Sequence, residues 1–135
     1  MFALIRHAGY QMVSGSLTSD GISAAKALVE HLHRNGIRWE GICSSPSKRT
    51  LETAAVIGQE LSLTIDIDER VGMEGNIVEL LPPDEPRYKI IVSHLPILTK
   101  LLRAWSRKLQ QDEPPLTEMG HGYLIDPDHG TITPL

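Results

Sequence analysis

The chain contains very little cysteine and no long hydrophobic run. Cys43 is its single cysteine, which excludes an internal disulfide and cannot form a zinc site by itself. No apolar run approaches the roughly 18 residues that a membrane-spanning helix needs, and Phe2–Ile5 is too short for a signal peptide. We therefore expect a cytoplasmic protein without a membrane segment.

The chain also has fewer positively charged than negatively charged side chains. Lysine and arginine number 13 against 17 aspartates and glutamates, which gives a formal net charge of −4. A negative overall field repels nucleic acid and anionic substrates. We expect no nucleic-acid partner, and an anionic substrate would need a local cluster of positive side chains.

Hydrophobic periodicity and turn residues predict alternating strands and helices. Short buried strands are predicted at 2–5, 41–44 and 89–93, with helices near 18–35, after Ser45 and from Pro96. Ser45 is the predicted N-cap of the second helix, and Pro46 suits its first position. Asn35-Gly36 favours the end of the first helix, and residues 120–135 suit two strands around a turn. Strands separated by helices imply a mostly parallel, helix-covered sheet, and the length of 135 residues suits one domain, 1–135.

Arginine and histidine follow three of the predicted strands. The first strand ends in Arg6-His7, the second leads to Arg49, and the third ends in Ser93-His94. In parallel sheets, chemistry collects at the carboxyl ends of the strands. If the three strands are neighbours, two guanidinium groups and two imidazoles converge at this edge of the sheet. Guanidinium groups donate paired hydrogen bonds to phosphate oxygens, so the cluster suits a phosphoryl group. A neutral histidine can also attack phosphorus as a nucleophile.

Four motifs in order extend this pattern into a family resemblance. LIRHA, LTSDG, SSPSKRTLETA and IVSHLP run from Leu4 to about Leu102, and together they resemble the histidine phosphatase superfamily, branch 1, also called phosphoglycerate-mutase-like. The small size, Ala8 and the SHLP form are most similar to its SixA-type phosphohistidine phosphatases. The resemblance implies a three-layer α/β/α sandwich, a transiently phosphorylated His7, and phosphoryl oxygens held by Arg6, Arg49 and His94. Such chemistry needs no metal or other cofactor, because the side chains supply the positive charge.

The sequence departs from the family pattern at three places. Ser16 stands where many members carry an arginine, and the segment 10–14 has no clear equivalent of a polar phosphate contact. For the proton donor, the best-placed carboxylate is Glu74, with Glu69 behind it. A phosphohistidine leaves as a neutral imidazole, which needs less acid assistance than an alkoxide. A weak acid position therefore favours a phosphohistidine substrate over a sugar phosphate.

The sequence is compatible with several functions. The chain has no large insertion to enclose a metabolite, which favours a phosphorylated protein as partner, such as a signalling domain that carries phosphohistidine. The alternatives are a phosphatase of small phosphate esters and a weakly active module that only binds phosphate. A mutase would need an enclosed pocket, for which there is little chain.

A different class of phosphatase is suggested by Cys43. The spacing from Cys43 to Arg49 matches the cysteine-x5-arginine pattern of enzymes with a thiolate nucleophile. Pro46 in the middle of this loop has no amide to offer a phosphate, and the cysteine falls within a predicted apolar strand. We therefore expect Cys43 to be a packing residue. Small side chains at Ala8 and Gly9 would leave the approach to His7 open.

Overall fold

Strands and helices alternate along the chain, as the sequence predicts. The computed structural model describes residues 1–34, 36–115 and 117–135. Its helices and strands are β1 (Phe2–Arg6), α1 (Ser19–Arg34), β2 (Gly41–Ser44), α2 (Lys48–Leu61), β3 (Ile65–Ile67), β4 (Lys89–Ser93), α3 (Leu95–Leu109), β5 (Gly122–Asp126) and β6 (Thr131–Pro134). Two single-turn 3-10 helices, Glu69–Val71 and Val78–Leu80, lie between β3 and β4. Within the described residues, no helix has both the length and the apolar character needed to cross a membrane.

The six strands form one mixed sheet in the order β3-β2-β4-β1-β5-β6. The pairs β2–β3, β2–β4 and β1–β4 are parallel, whereas β5 and β6 add an antiparallel hairpin at one edge. The mostly parallel sheet is confirmed. Because β1, β2 and β4 are parallel neighbours, their carboxyl ends meet at the same edge of the sheet.

Alternate residues of β1 bury their side chains on opposite faces of the sheet. On one face, Ala3 and Ile5 of β1 pack with residues of α1 and α2. On the other face, Phe2 and Leu4 pack with α3, where the ring of Phe2 meets that of Trp105 at a centroid distance of 5.1 Å. Helices thus cover both faces, and the expected three-layer α/β/α sandwich is confirmed.

The start of α2 lies two residues beyond the predicted position. Ser47, not Ser45, is the N-cap, and its hydroxyl accepts a hydrogen bond from the backbone N–H of Thr50. Ser45 is 1% exposed and its carbonyl accepts a hydrogen bond from the Thr50 hydroxyl. The prediction was wrong because Ser45 and Ser47 both suit a cap and the tertiary contacts of Ser45 decide between them.

The first helix begins as predicted and approaches the segment after β1 very closely. The Thr18 hydroxyl accepts a hydrogen bond from the N–H of Gly21, as an N-cap does. α1 ends at Arg34; of the predicted stop signal, Asn35 lies outside the described residues, and Gly36 has a φ of 64°. A Cβ atom on Gly21 would lie 2.1 Å from the carbonyl oxygen of Gly9. Only glycine at position 21 therefore allows α1 to pack against the segment that follows His7.

We predict that Gly21→Ala destabilises the protein by about 2 kcal/mol, as overpacking does. Alanine in place of glycine in a helix ordinarily stabilises by up to about 1 kcal/mol, so the expected sign is reversed. Chemical denaturation measures the free energy of unfolding, with Ser23→Ala, at an exposed position of the same helix, as the control. A Gly21→Ala protein more stable than the wild type would contradict the close packing.

Candidate active site

The strand ends bring the four predicted residues together at one edge of the sheet. His7 directly follows β1, and its backbone N–H donates to the carbonyl of Ser93 at the end of β4, 3.1 Å away. The next residue, His94, is the N-cap of α3, and its ring centroid is 5.5 Å from that of His7. Arg49 reaches the same point from the first turn of α2, with Nη2 3.3 Å from Nδ1 of His94.

His7 is held in one neutral form. Its side chain is 4% exposed, and Nδ1 lies 3.1 Å from the carbonyl oxygen of Ala8. A carbonyl can only accept, so Nδ1 carries the proton and Nε2 keeps its lone pair. Burial, followed by the nearby charges of Arg49 and Arg6, lowers the pKa of His7, although the Ala8 hydrogen bond opposes the shift. At neutral pH the ring is therefore uncharged and nucleophilic at Nε2.

His94 is neutral in the opposite tautomer. Arg49 can only donate, so Nδ1 of His94 accepts its hydrogen bond. Nε2 then carries the proton and donates to the Ser45 hydroxyl, 2.8 Å away. Burial and the charge of Arg49 lower the pKa of His94 to about 4. Ser45 was predicted as a helix cap, and its contact with His94 gives it a place in the site that the sequence did not indicate.

The two guanidinium groups retain unused donors. Nη1 of Arg6 donates to the carbonyl of Thr117 at 3.0 Å. The Nε–H groups of Arg6 and Arg49 are buried and have no hydrogen-bond partner among the described residues. Buried donors are costly when unpaired, and an oxyanion is the acceptor that suits a guanidinium best. Two guanidinium groups at one point can bind an anion such as a phosphoryl group.

Tyr10 packs against both the nucleophilic ring and one of the arginines. Its ring meets that of His7 edge-on at 5.2 Å, and Cζ of Arg49 lies 4.9 Å from the Tyr10 centroid. The second contact is a cation–π interaction. The sequence drew attention to the segment 10–14 without selecting a residue, because this contact depends on how the chain folds back over α2.

The backbone after His7 is attached to α2 through a buried hydroxyl. The N–H of Ala8 donates to Oγ1 of Thr53 at 3.0 Å, and Thr53 donates in turn to the carbonyl of Arg49 at 2.8 Å. Ala8 is fully buried and packs with Leu17 and Ala25. The small side chain of Ala8 thus fits the packing against α1, and the open approach to His7 stays a prediction.

The predicted acid Glu74 lies in the wall of a cavity of about 650 Å³ beside the site. Glu69 lines the same cavity, and His94 and Ser45 form part of its lining. The structure therefore brings Glu74 to the site's periphery but gives it no hydrogen bond to the central residues. Its role as a proton donor stays a prediction.

Cys43 has the environment of a packing residue. It lies in the middle of β2, paired with Ile91 and Asp66 of the neighbouring strands, and is half-buried. Burial, together with the charge of Asp68, raises the pKa of its thiol. A nucleophilic cysteine needs a lowered pKa, so the cysteine-x5-arginine alternative is not supported. Among the described residues, no three His, Cys, Asp or Glu side chains are grouped as a metal site would require.

Fold and site together define a phosphoryl-transfer protein with a histidine at the centre of an anion pocket. A family model described as the histidine phosphatase superfamily (branch 1) matches residues 3–72. The chain belongs to this family. The family resemblance seen in the sequence, and with it the prediction of a phosphatase, is confirmed at this level.

Solved structures share the fold over nearly the whole chain. The protein histidine phosphatase SixA complexed with tungstate aligns with a TM-score of 0.74 at 17% identity, covering 99% of this chain and 93% of that one. A mycobacterial glucosyl-3-phosphoglycerate phosphatase gives 0.62 at 15% identity, covering 90% and 87%. Phosphoglycerate mutase from Plasmodium falciparum gives 0.62 at 21%, covering 99% and 87%. At these identities the likeness shows the fold alone, and no curated protein sequence matches the chain.

We predict that His94 makes stability depend on pH. The unfolded ring titrates near 6.5 and the folded one near 4, so the unfolded state binds more protons between these values. The wild type should thus lose about 3 kcal/mol more than His94→Gln between pH 7 and pH 4. Denaturant unfolding of both proteins across this range measures the difference. Parallel pH profiles would contradict the buried neutral ring.

Proposed function

We propose that this protein is a phosphatase that works through a phosphohistidine intermediate on His7. The observation that carries the proposal is a buried neutral imidazole, with Nε2 free, beside two guanidinium groups whose buried Nε–H donors lack partners. A pocket that only binds phosphate needs the guanidinium groups but has no use for a nucleophile held in one tautomer.

In the first step, the lone pair on Nε2 of His7 attacks phosphorus while the bond from phosphorus to the leaving group breaks. The hydrogen bond from Nδ1 to the Ala8 carbonyl stabilises the positive charge that develops on the ring. The leaving group takes a proton, for which Glu74 is the candidate donor in the cavity wall. If the leaving group is the imidazole of a phosphohistidine whose other ring nitrogen is protonated, it departs as neutral imidazole and the acid matters less.

Arg6, Arg49 and His94 would hold the equatorial oxygens during this step. Burial and the charge of Arg49 lower the pKa of His94. A phosphoryl dianion beside the ring would offset the charge of Arg49 and raise that pKa. His94 can then share a proton with the anion, while the guanidinium group of Arg49 moves its hydrogen bond from Nδ1 of His94 to the phosphoryl oxygens. The two guanidinium groups supply the positive charge that a metal ion provides in other phosphotransferases, so we propose a metal-independent reaction.

In the second step, a water molecule attacks phosphorus and the bond from Nε2 to phosphorus breaks. Inorganic phosphate leaves with the oxygen of the water, a proton of the water returns to the carboxylate that donated in the first step, and His7 regains the neutral form with its proton on Nδ1. The same cationic groups stabilise both steps, because each passes through a phosphoryl group with charge on three equatorial oxygens.

For the substrate, we propose a phosphohistidine carried by a protein. None of the central described residues is a carboxylic acid placed to act as a general acid. This supports a phosphohistidine, since an alkoxide leaving group would need such a proton donor. The SixA structure is that of a protein histidine phosphatase, whereas the mycobacterial neighbour acts on glucosyl-3-phosphoglycerate. A small phosphate ester is therefore the alternative substrate class.

We predict that His7→Ala abolishes turnover and phosphoenzyme formation, with a loss of roughly a thousandfold or more. Incubation with an aryl phosphate in the presence of EDTA, a rapid quench and intact-mass analysis at alkaline pH detects the acid-labile adduct. Cys43→Ser is the matched control, and it should keep nearly full activity. No adduct on the wild type would leave only a phosphate-binding module, and a loss of activity in Cys43→Ser would favour the thiolate class.

We further predict that a phosphohistidine protein is hydrolysed with a higher kcat/KM than small phosphate esters. The expected difference is at least about tenfold, because a neutral imidazole leaves without full protonation by an acid. Release of inorganic phosphate from a panel of both substrate classes measures it. A strong preference for one sugar phosphate would contradict the proposed substrate.

A further inference from the structure

The cavity beside His94 has a wall of different charge from the phosphoryl pocket. Ser45 and His94, each at most 2% exposed, form part of the cavity lining, so the cavity adjoins the phosphoryl pocket at these two residues. The segment from Glu69 to Asn76 supplies most of the remaining lining. A phosphoryl group held between the two histidine rings, whose centroids are 5.5 Å apart, would thus have this cavity beside it for its leaving group.

The wall segment is fixed to the same strand ends that carry the pocket. The N–H of Asp68 donates to the Ser44 carbonyl at 2.7 Å, and the Ser93 hydroxyl donates to the Val71 carbonyl at 2.6 Å. A Cβ atom on Gly75 would lie 2.2 Å from the Glu69 carbonyl oxygen, so the turn is tightly closed. The segment that carries Glu69 and Glu74 is therefore held in place by hydrogen bonds and close packing.

Negative charge in the wall is not balanced by the arginine between the two glutamates. Nε and Nη2 of Arg70 donate to the Asp68 carboxylate through three hydrogen bonds of 2.7 to 3.2 Å, and its remaining nitrogen, Nη1, contacts Glu79 at 3.2 Å. Glu69 and Glu74 are exposed and form no ion pair with any described residue. The cavity is therefore acidic, although the adjoining pocket is positively charged.

We propose that this acidic cavity selects phosphorylated protein segments that carry lysine or arginine next to the phosphorylated residue. The inference rests on the proposed phosphatase function and adds the chemistry of the leaving-group side. A phosphoryl group enters the pocket of Arg6 and Arg49, while the flanking cations face Glu69 and Glu74. Leaving groups that bear their own carboxylates or phosphates meet like charge in the cavity and are disfavoured.

Three synthetic peptides test the proposal. Each carries one phosphohistidine in the same sequence, flanked on both sides by lysine, glutamine or glutamate, so the leaving imidazole is identical. We expect kcat/KM to fall in the order lysine, glutamine, glutamate, with about a tenfold difference between the extremes at low ionic strength. The difference should shrink as salt is added, because both the peptide charges and the glutamates are exposed.

The double variant Glu69→Gln/Glu74→Gln should bring the ratio between lysine and glutamate peptides close to one. If Glu74 also donates a proton, the variant slows all three peptides alike, which leaves the ratio as the readout. Glu30→Gln/Glu60→Gln changes net charge equally at exposed positions of α1 and α2 and should keep the wild-type ratio. Equal kcat/KM for the three peptides, or an unchanged ratio in Glu69→Gln/Glu74→Gln, would overturn the proposal.

Binding to His7→Ala separates this inference from the phosphatase proposal. Calorimetry with the same peptides needs no turnover, so the order of affinities is measured even if the wild type forms no phosphoenzyme. The order lysine, glutamine, glutamate would support the acidic cavity in either case. Indistinguishable affinities together with a normal phosphoenzyme on the wild type would overturn the cavity inference alone.

Discussion

The hydrogen bond from Nδ1 of His7 to the carbonyl of Ala8 determines which ring nitrogen faces the phosphoryl pocket. It requires the Ala8 carbonyl to lie beside the ring, and three contacts hold the backbone after β1 in place. Thr53 accepts a hydrogen bond from the N–H of Ala8, the methyl group of Ala8 is buried against α1, and Gly21 lets α1 approach the next residue. A single tautomer at His7 thus depends on the packing of two helices against one strand end.

Charge in the site is arranged so that an anion completes it. Burial and the two arginines keep both imidazoles neutral, and the same arginines leave buried Nε–H groups without partners. These are costs to the folded protein in the absence of a ligand. A bound oxyanion would offset the positive potential around both imidazoles and pair with the guanidinium groups. The same positive charges that are costly to the folded protein therefore favour the binding of a phosphoryl group.

Much of this arrangement was predictable from the sequence. Short apolar runs bounded by turn residues located β1, β2 and β4, and the order of strands and helices implied a parallel sheet whose carboxyl ends carry Arg6, His7, Arg49 and His94. The contacts of Tyr10, Thr53 and Ser45 could not be predicted in the same way. Each depends on a tertiary approach between distant segments, and hydroxyl and aromatic residues in loops and first turns have many local uses. The sequence indicated Glu74 only as a candidate proton donor and not the acidic cavity wall. The net charge of that wall depends on the ion pairs of Arg70, which form only in the folded chain.

The most direct measurement on the central claim is the position of the phosphorus–nitrogen bond in the trapped enzyme. Nitrogen-15 and phosphorus-31 NMR of the protein labelled in histidine and phosphorylated by an aryl phosphate identifies both the residue and the ring nitrogen. The structure predicts one signal set, with phosphorus on Nε2 of His7 and a proton on Nδ1. Phosphorus on Nδ1 of His7, or on any other residue, would contradict the tautomer on which this account of the site is built.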